Sequence, residues 1–98
     1  MMYSFVCYDV NTHDAAGRKR LRHIAKICER YGQRVQNSVF EVWCDYGQFL
    51  ELKHKIISEM DKQEDSVRFY HLHKDYQGRV EHYGKKETYD PGGDVLIF

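Results

Sequence analysis

From Tyr3 to Tyr8 every position except Ser4 is apolar or aromatic, and Asp9 ends the run, so the segment reads as a strand buried on both faces. Asn11-Thr12-His13-Asp14 is turn chemistry, with Asp14 placed to cap a helix from Ala15 to Tyr31 and Gly32 as its stop. In that helix Leu21, Ile24, Ala25, Cys28 and Tyr31 form the apolar stripe, while Arg18, Arg22, Lys26 and Arg30 recur every four residues on another side. Arg34 to Cys44 reads as extended without clean alternation, interrupted by a tight turn or bulge at Asn37-Ser38. Asp45 and Gln48 are spaced as a capping box for a second helix whose stripe is Phe49, Leu52, Ile56 and Met60. Ser66 to Leu72 then reads as a strand, residues 74–78 as a turn, Arg79 to Tyr83 as a short strand, Asp90-Pro91-Gly92-Gly93 as a turn and Val95 to Phe98 as a terminal apolar strand.

The predicted order is β-α-β(β)-α-β plus a terminal strand, an α+β arrangement of the ferredoxin-like kind with two helices on one sheet face. Strands apolar on both parities, with only two helices to cover them, leave the other face in need of a second layer. A second subunit is the natural supply. With 98 residues and 42% apolar content, the chain is expected to fold as one domain, 1–98, around a single core. So small a domain hides only about 60–65% of its unfolded surface, which also favours self-association.

Equal numbers of basic and acidic residues, 15 each, conceal an uneven distribution. Arg18, Lys19, Arg20, Arg22, Lys26, Arg30 and Arg34 are offset only by Glu29 between positions 18 and 34, so that stretch carries +6 and the remainder −6. Such a ridge can meet a polyanion while the rest of the surface stays acidic. The absence of an apolar run of about 20 residues and of a basic leader predicts a cytoplasmic protein with no membrane span. Cys7, Cys28 and Cys44, widely spaced and odd in number, read as reduced core thiols.

Phosphodiester hydrolysis assisted by a metal needs carboxylates near a basic surface, because Mg²⁺ takes oxygen ligands. Asp9 is the best candidate: it follows an apolar strand directly and has no cation beside it in sequence. The competing reading is a turn cap at a strand end. One Asp makes a poor metal site, whereas two copies facing each other across a dimer axis make a credible one. His71-x-His73 has a zinc-compatible spacing without an evident third ligand, which favours packing histidines. His13 sits where it can tune the pH response of Asp9.

The segments Tyr8-Asp9-Val10, Gly17 to Lys26, Tyr31 to Glu41 with its Gln-x-Ser-Val-Phe-Glu signature, and Tyr89-Asp90-Pro91 strongly resemble the small CRISPR-associated spacer-acquisition endonuclease family, the adaptation subunit that partners the CRISPR integrase. The details resemble most the version found with type I-C systems. The resemblance implies a homodimer with sheet faces packed together, residues 94–98 of one subunit being added to its partner's sheet. It implies that Asp9 approaches its symmetry mate to hold Mg²⁺ or another divalent cation, that Tyr8 and Phe40 line this catalytic region, and that Arg18, Arg20, Arg22 and Arg34 meet phosphates. Lys26 and Arg30 extend that contact along the ridge. The implied substrate is double-stranded DNA or single-stranded RNA. A non-catalytic DNA-binding scaffold that bridges integrase subunits is the other implied role.

Overall fold

The computed structural model describes residues 1–72 and 79–85, the first two of the latter stretch by their backbone alone. His73, the expected turn at 74–78 and the tail from Tyr89 to Phe98 lie outside the described residues. The elements are β1 (Met2–Asp9), α1 (Ala15–Glu29), β2 (Gly32–Gln36), β3 (Val39–Cys44), α2 (Tyr46–Glu59), β4 (Ser66–Leu72) and β5 (Arg79–Gly84). They form one antiparallel five-stranded sheet in the order β2-β3-β1-β4-β5, the ferredoxin-like arrangement with β5 added beside β4.

Local signals set the helix ends. The Asp14 side chain accepts from Gly17 N at 2.8 Å, and the capping box of α2 is complete, with Gln48 N donating to Asp45 at 2.7 Å and Asp45 N to Gln48 at 3.0 Å. Both caps were legible in sequence. The first helix stops at Glu29 rather than Tyr31, and Gly32 opens β2 instead of closing the helix. A Cβ on Gly32 would lie 2.1 Å from the Glu41 carbonyl oxygen, so the residue is glycine because the neighbouring strand passes too close for a side chain. Asn37 and Ser38 turn the chain between β2 and β3, and the register shifts between Arg34 and Gln36.

Both helices cover one sheet face. Ser4, Val6 and Tyr8 of β1, Phe40, Val42 and Cys44 of β3 and Val67, Phe69 and His71 of β4 point into this layer with Ile24 and Cys28 of α1 and Phe49, Leu52 and Ile56 of α2. The alternate residues Tyr3, Phe5, Cys7 and Asp9, with Trp43 opposite Tyr3 and Arg68 opposite Cys7, lie on the uncovered face. There β1 is only half-buried or exposed, whereas the sequence pattern predicted burial on both sides. Among the described residues nothing forms a second layer over the apolar odd positions, and Trp43 is 59% exposed.

Candidate metal centre and nucleic-acid interface

Asp9 terminates β1 opposite Ser66 of β4. Its side chain is exposed and takes part in no hydrogen bond or ion pair among the described residues. The turn-cap role is carried elsewhere: Asp14 caps α1, and Asn11 Oδ1 accepts from His13 N at 3.0 Å within the turn. The His13 ring also meets Asn11 Oδ1 and lies 3.6 Å from Asp14, so it serves the turn. Asp9 is thus, among the described residues, a carboxylate without a structural task. Among the described residues no group of three or more His, Cys, Asp or Glu is placed to hold a metal.

Tyr8 and Phe40 do not share Asp9's surface. Successive strand residues face opposite sides of a sheet, and both aromatics are buried beneath the helices, their rings stacked at 6.1 Å and 21°. Burial pushes the Tyr8 phenol up to about 12, and its hydroxyl is buried without a hydrogen-bond partner. Within this chain the two rings, expected from the family resemblance to line the region of Asp9, stack in the core on the helix-covered side of the sheet. The Arg34 guanidinium sits 5.0 Å over the Phe40 ring and donates to the Asn37 carbonyl at 2.7 Å.

The loop leaving Asp9 is fixed by Asp65, a fully buried carboxylate just before β4. It accepts from Asn11 N at 3.0 Å, Asp61 N at 2.9 Å and Arg20 Nε and Nη2 at 2.7 and 3.3 Å. Burial alone would raise its pKa, but the Arg20 bond and the two backbone amides outweigh it and hold the carboxyl below its ordinary value. Asn11 Nδ2 adds a bond to Glu64 at 2.9 Å. A Cβ on Gly17 would meet the Asn11 carbonyl oxygen at 1.9 Å, so α1 packs on this loop through a bare backbone. Arg20, expected on the phosphate surface, is committed to Asp65, with its side chain only 17% exposed.

Arg18, Arg22, Lys26 and Arg30 are exposed along α1 and form no ion pair among the described residues. Arg18 reaches only the Thr12 carbonyl, at 3.4 Å, and Arg34 lies 3.6 Å from Glu29 beside them. The ridge therefore exists as a surface of uncompensated cations. It belongs to the helical layer, while Asp9 belongs to the open sheet face.

Two polar clusters occupy the sheet, and the first, around Arg68, is one that sequence reading did not single out. On the open face Arg68 Nε donates to His82 Nδ1 at 2.9 Å, and Arg68 Nη1 lies 3.5 Å from the Tyr70 hydroxyl. On the covered face His71 bridges Ser4 Oγ at 2.8 Å and Glu81 at 2.5 Å, and Glu81 also accepts from Lys53 and Tyr83, both at 3.0 Å. His71 is therefore a packing histidine, as expected. Cys28 and Cys44 lie in the core as expected, whereas Cys7 is half-buried on the open face; burial pushes Cys28 up to about 12 and raises Cys7 and Cys44.

Residues 1–80 match the family described as CRISPR associated protein Cas2. A Chlorobaculum tepidum protein named CRISPR-associated endoribonuclease Cas2 is 53% identical over 96 residues, 98% of this chain and 100% of that relative. A Halalkalibacterium halodurans protein named CRISPR-associated endonuclease Cas2 is 47% identical over 97 residues, 99% of this chain and 100% of the relative. The crystal structure of Streptococcus pyogenes Cas2 at pH 6.5 superposes with a TM-score of 0.70 at 54% identity, covering 78% of this chain and 92% of that one.

Proposed function

The chain belongs to the CRISPR-associated Cas2 family, and from that premise we propose that it is a divalent-metal-dependent endonuclease acting on DNA or RNA in spacer acquisition and antiviral defence. The observation that carries this reading is Asp9: an exposed carboxylate at a strand end, unpartnered among the described residues, on the sheet face that the helices leave open.

The donor chemistry fits a hard cation, since carboxylate oxygens suit Mg²⁺, which keeps several waters and needs few protein ligands. Asp9 and the Asp9 of a second copy would hold it. When bound, the ion neutralises charge on the phosphodiester and makes water more acidic. The half-exposed apolar residues Tyr3, Phe5 and Trp43 support a homodimer built face to face, and residues 94–98 would extend the partner's sheet. Arg18, Arg22, Lys26, Arg30 and Arg34 hold nucleic-acid backbone through charge alone. Asp65 and Arg20 keep the Asn11 loop in place beside Asp9.

The second reading is a non-catalytic dimer that presents duplex DNA along α1 and sets the spacing of integrase subunits. It is favoured by the exposed ridge lying in a different layer from Asp9 and by the lack, among the described residues, of a group of three ligands that could hold a metal. Incubating the protein with labelled single-stranded RNA and duplex DNA, with and without EDTA, separates the two: chelator-sensitive cleavage supports the nuclease, and binding without cleavage supports the scaffold.

A further inference from the structure

Asp9 and Arg68 occupy diagonal positions on neighbouring strands. Asp9 pairs with Ser66 and Cys7 with Arg68, so Arg68 stands two residues further along β4 on the same open face. Diagonal neighbours of this kind are about 7–8 Å apart, within reach of a long side chain. Yet the two opposite charges form no ion pair. His82 on β5 holds the guanidinium to its own side: its Nδ1 accepts from Arg68 Nε at 2.9 Å while its Nε2 reaches the Lys85 carbonyl at 2.9 Å, and one neutral tautomer satisfies both bonds.

The other ionised groups of this face do not compete for Arg68. Glu41 accepts from the Tyr3 hydroxyl across β1 and β3. Arg68 has no carboxylate partner among the described residues, and its Nη2 makes no bond there. A guanidinium fixed through Nε presents its remaining N–H groups as a planar fork, the geometry that matches two oxygens of a phosphate. The apolar residues gather towards the other end of β1, where Tyr3 packs against Trp43 at 5.3 Å and Phe5 at 5.6 Å. A subunit seated on that apolar part leaves Asp9, Arg68 and His82 along one rim.

We propose that Arg68 is a substrate-binding residue of the Asp9 centre, which takes a phosphodiester oxygen of the nucleic-acid strand directly, and that His82 is the positioning residue that holds its guanidinium ready. The proposal rests on the nuclease reading of Asp9, but the contact it describes is made in binding as well as in turnover.

The test uses the full-length protein with 5′-labelled single-stranded RNA and duplex DNA oligonucleotides at saturating Mg²⁺. Arg68→Ala should lower kcat/KM about tenfold or more through a raised KM, the scale of a lost charge-assisted hydrogen bond. Arg68→Lys, which keeps the stem and the charge but not the fork, should recover part of this loss, and His82→Ala should weaken binding less than Arg68→Ala. In an Asp9→Asn background, where cleavage is expected to stop, Arg68→Ala should still raise Kd and flatten the dependence of log affinity on log salt by about 0.9 for duplex DNA and about 0.7 for single strands. A merely structural arginine would not move that slope. Unchanged KM, Kd and slope in both Arg68 variants overturn the inference, even if Asp9→Asn abolishes cleavage. Conversely, cleavage that survives Asp9→Asn while Arg68→Ala loses affinity sinks the metal reading and leaves the Arg68 contact standing.

Discussion

Arg20 Nε donates to Asp65 Oδ2 at 2.7 Å across 45 positions of sequence, with the Asp65 side chain fully buried and the arginine partly so. The pair ties α1 to the loop that precedes β4, and the same carboxylate holds the Asn11 amide two residues beyond Asp9. Arg20→Ala would strand a buried charge, though the amides of Asn11 and Asp61 would still solvate it. Loss of one partner of a buried ion pair predicts a destabilisation of about 3 kcal/mol, at the lower end for such pairs because of those amides. Urea unfolding should show it. Arg20→Ala would then lower cleavage through a loosened Asp9 loop, with nucleic-acid affinity in the folded protein nearly unchanged.

Acid should weaken the fold through Glu81. Burial acts to raise its pKa, but hydrogen bonds from Lys53, His71 and Tyr83 prevail and hold it at about 2, against an ordinary 4.5. A carboxylate depressed in the folded state stabilises the protein above its unfolded pKa. That contribution is lost as pH falls from about 4.5 towards about 2. Denaturant titrations across that range should find wild type more stable than Glu81→Gln near neutrality, with the gap closing on acidification. A gap independent of pH would contradict the assignment.

The α1 ridge should act as a sequence-independent phosphate track. Reversing Arg18 and Arg22 to Glu removes two exposed cations that have no ion pair among the described residues. Each lost contact should reduce the slope of log affinity against log salt by about 0.9 for duplex DNA. Titrations at several salt concentrations decide the matter, and an unaltered slope would move the contact off α1.

Deleting residues 94–98 removes Val95, Leu96, Ile97 and Phe98, an apolar end suited to pairing with another chain's sheet. If the tail locks the dimer, the shortened protein should melt at a lower temperature and its mass should depend on concentration. An identical melting curve and an undiminished mass at high dilution would show the tail to be dispensable.

Much of the fold could be read from local chemistry. The Asp14 cap, the Asp45–Gln48 box, the turn at Asn37-Ser38 and the bounds of β4 each depend on residues a few positions apart, and each lies where the sequence places it. The site was less legible because its relationships run between strands. Asp9 stands out as an acid ending an apolar run, while Tyr8 is grouped with it only by the family resemblance, and a strand apolar on both parities does not announce which parity faces the helices. Burial of Tyr8 at 4% exposure settles that question. The +6 count likewise treated Arg20 as one more ridge cation, because its partner Asp65 lies far along the chain. Arg68 carried one faint signal, a charge within the apolar run Ser66 to Leu72, but its place beside Asp9 depends on β4 pairing with β1.

The measurement that bears most directly on the metal centre compares wild type with Asp9→Asn in cleavage of labelled RNA and DNA, at saturating Mg²⁺ and across a pH series. Asparagine preserves size and can still accept hydrogen bonds, so fold and nucleic-acid binding should persist while the negative charge is lost. The account predicts cleavage by wild type that EDTA stops. It predicts no metal-dependent cleavage by Asp9→Asn at any pH. Equal activity in the two proteins would contradict the metal assignment and leave the DNA-bridging dimer as the function.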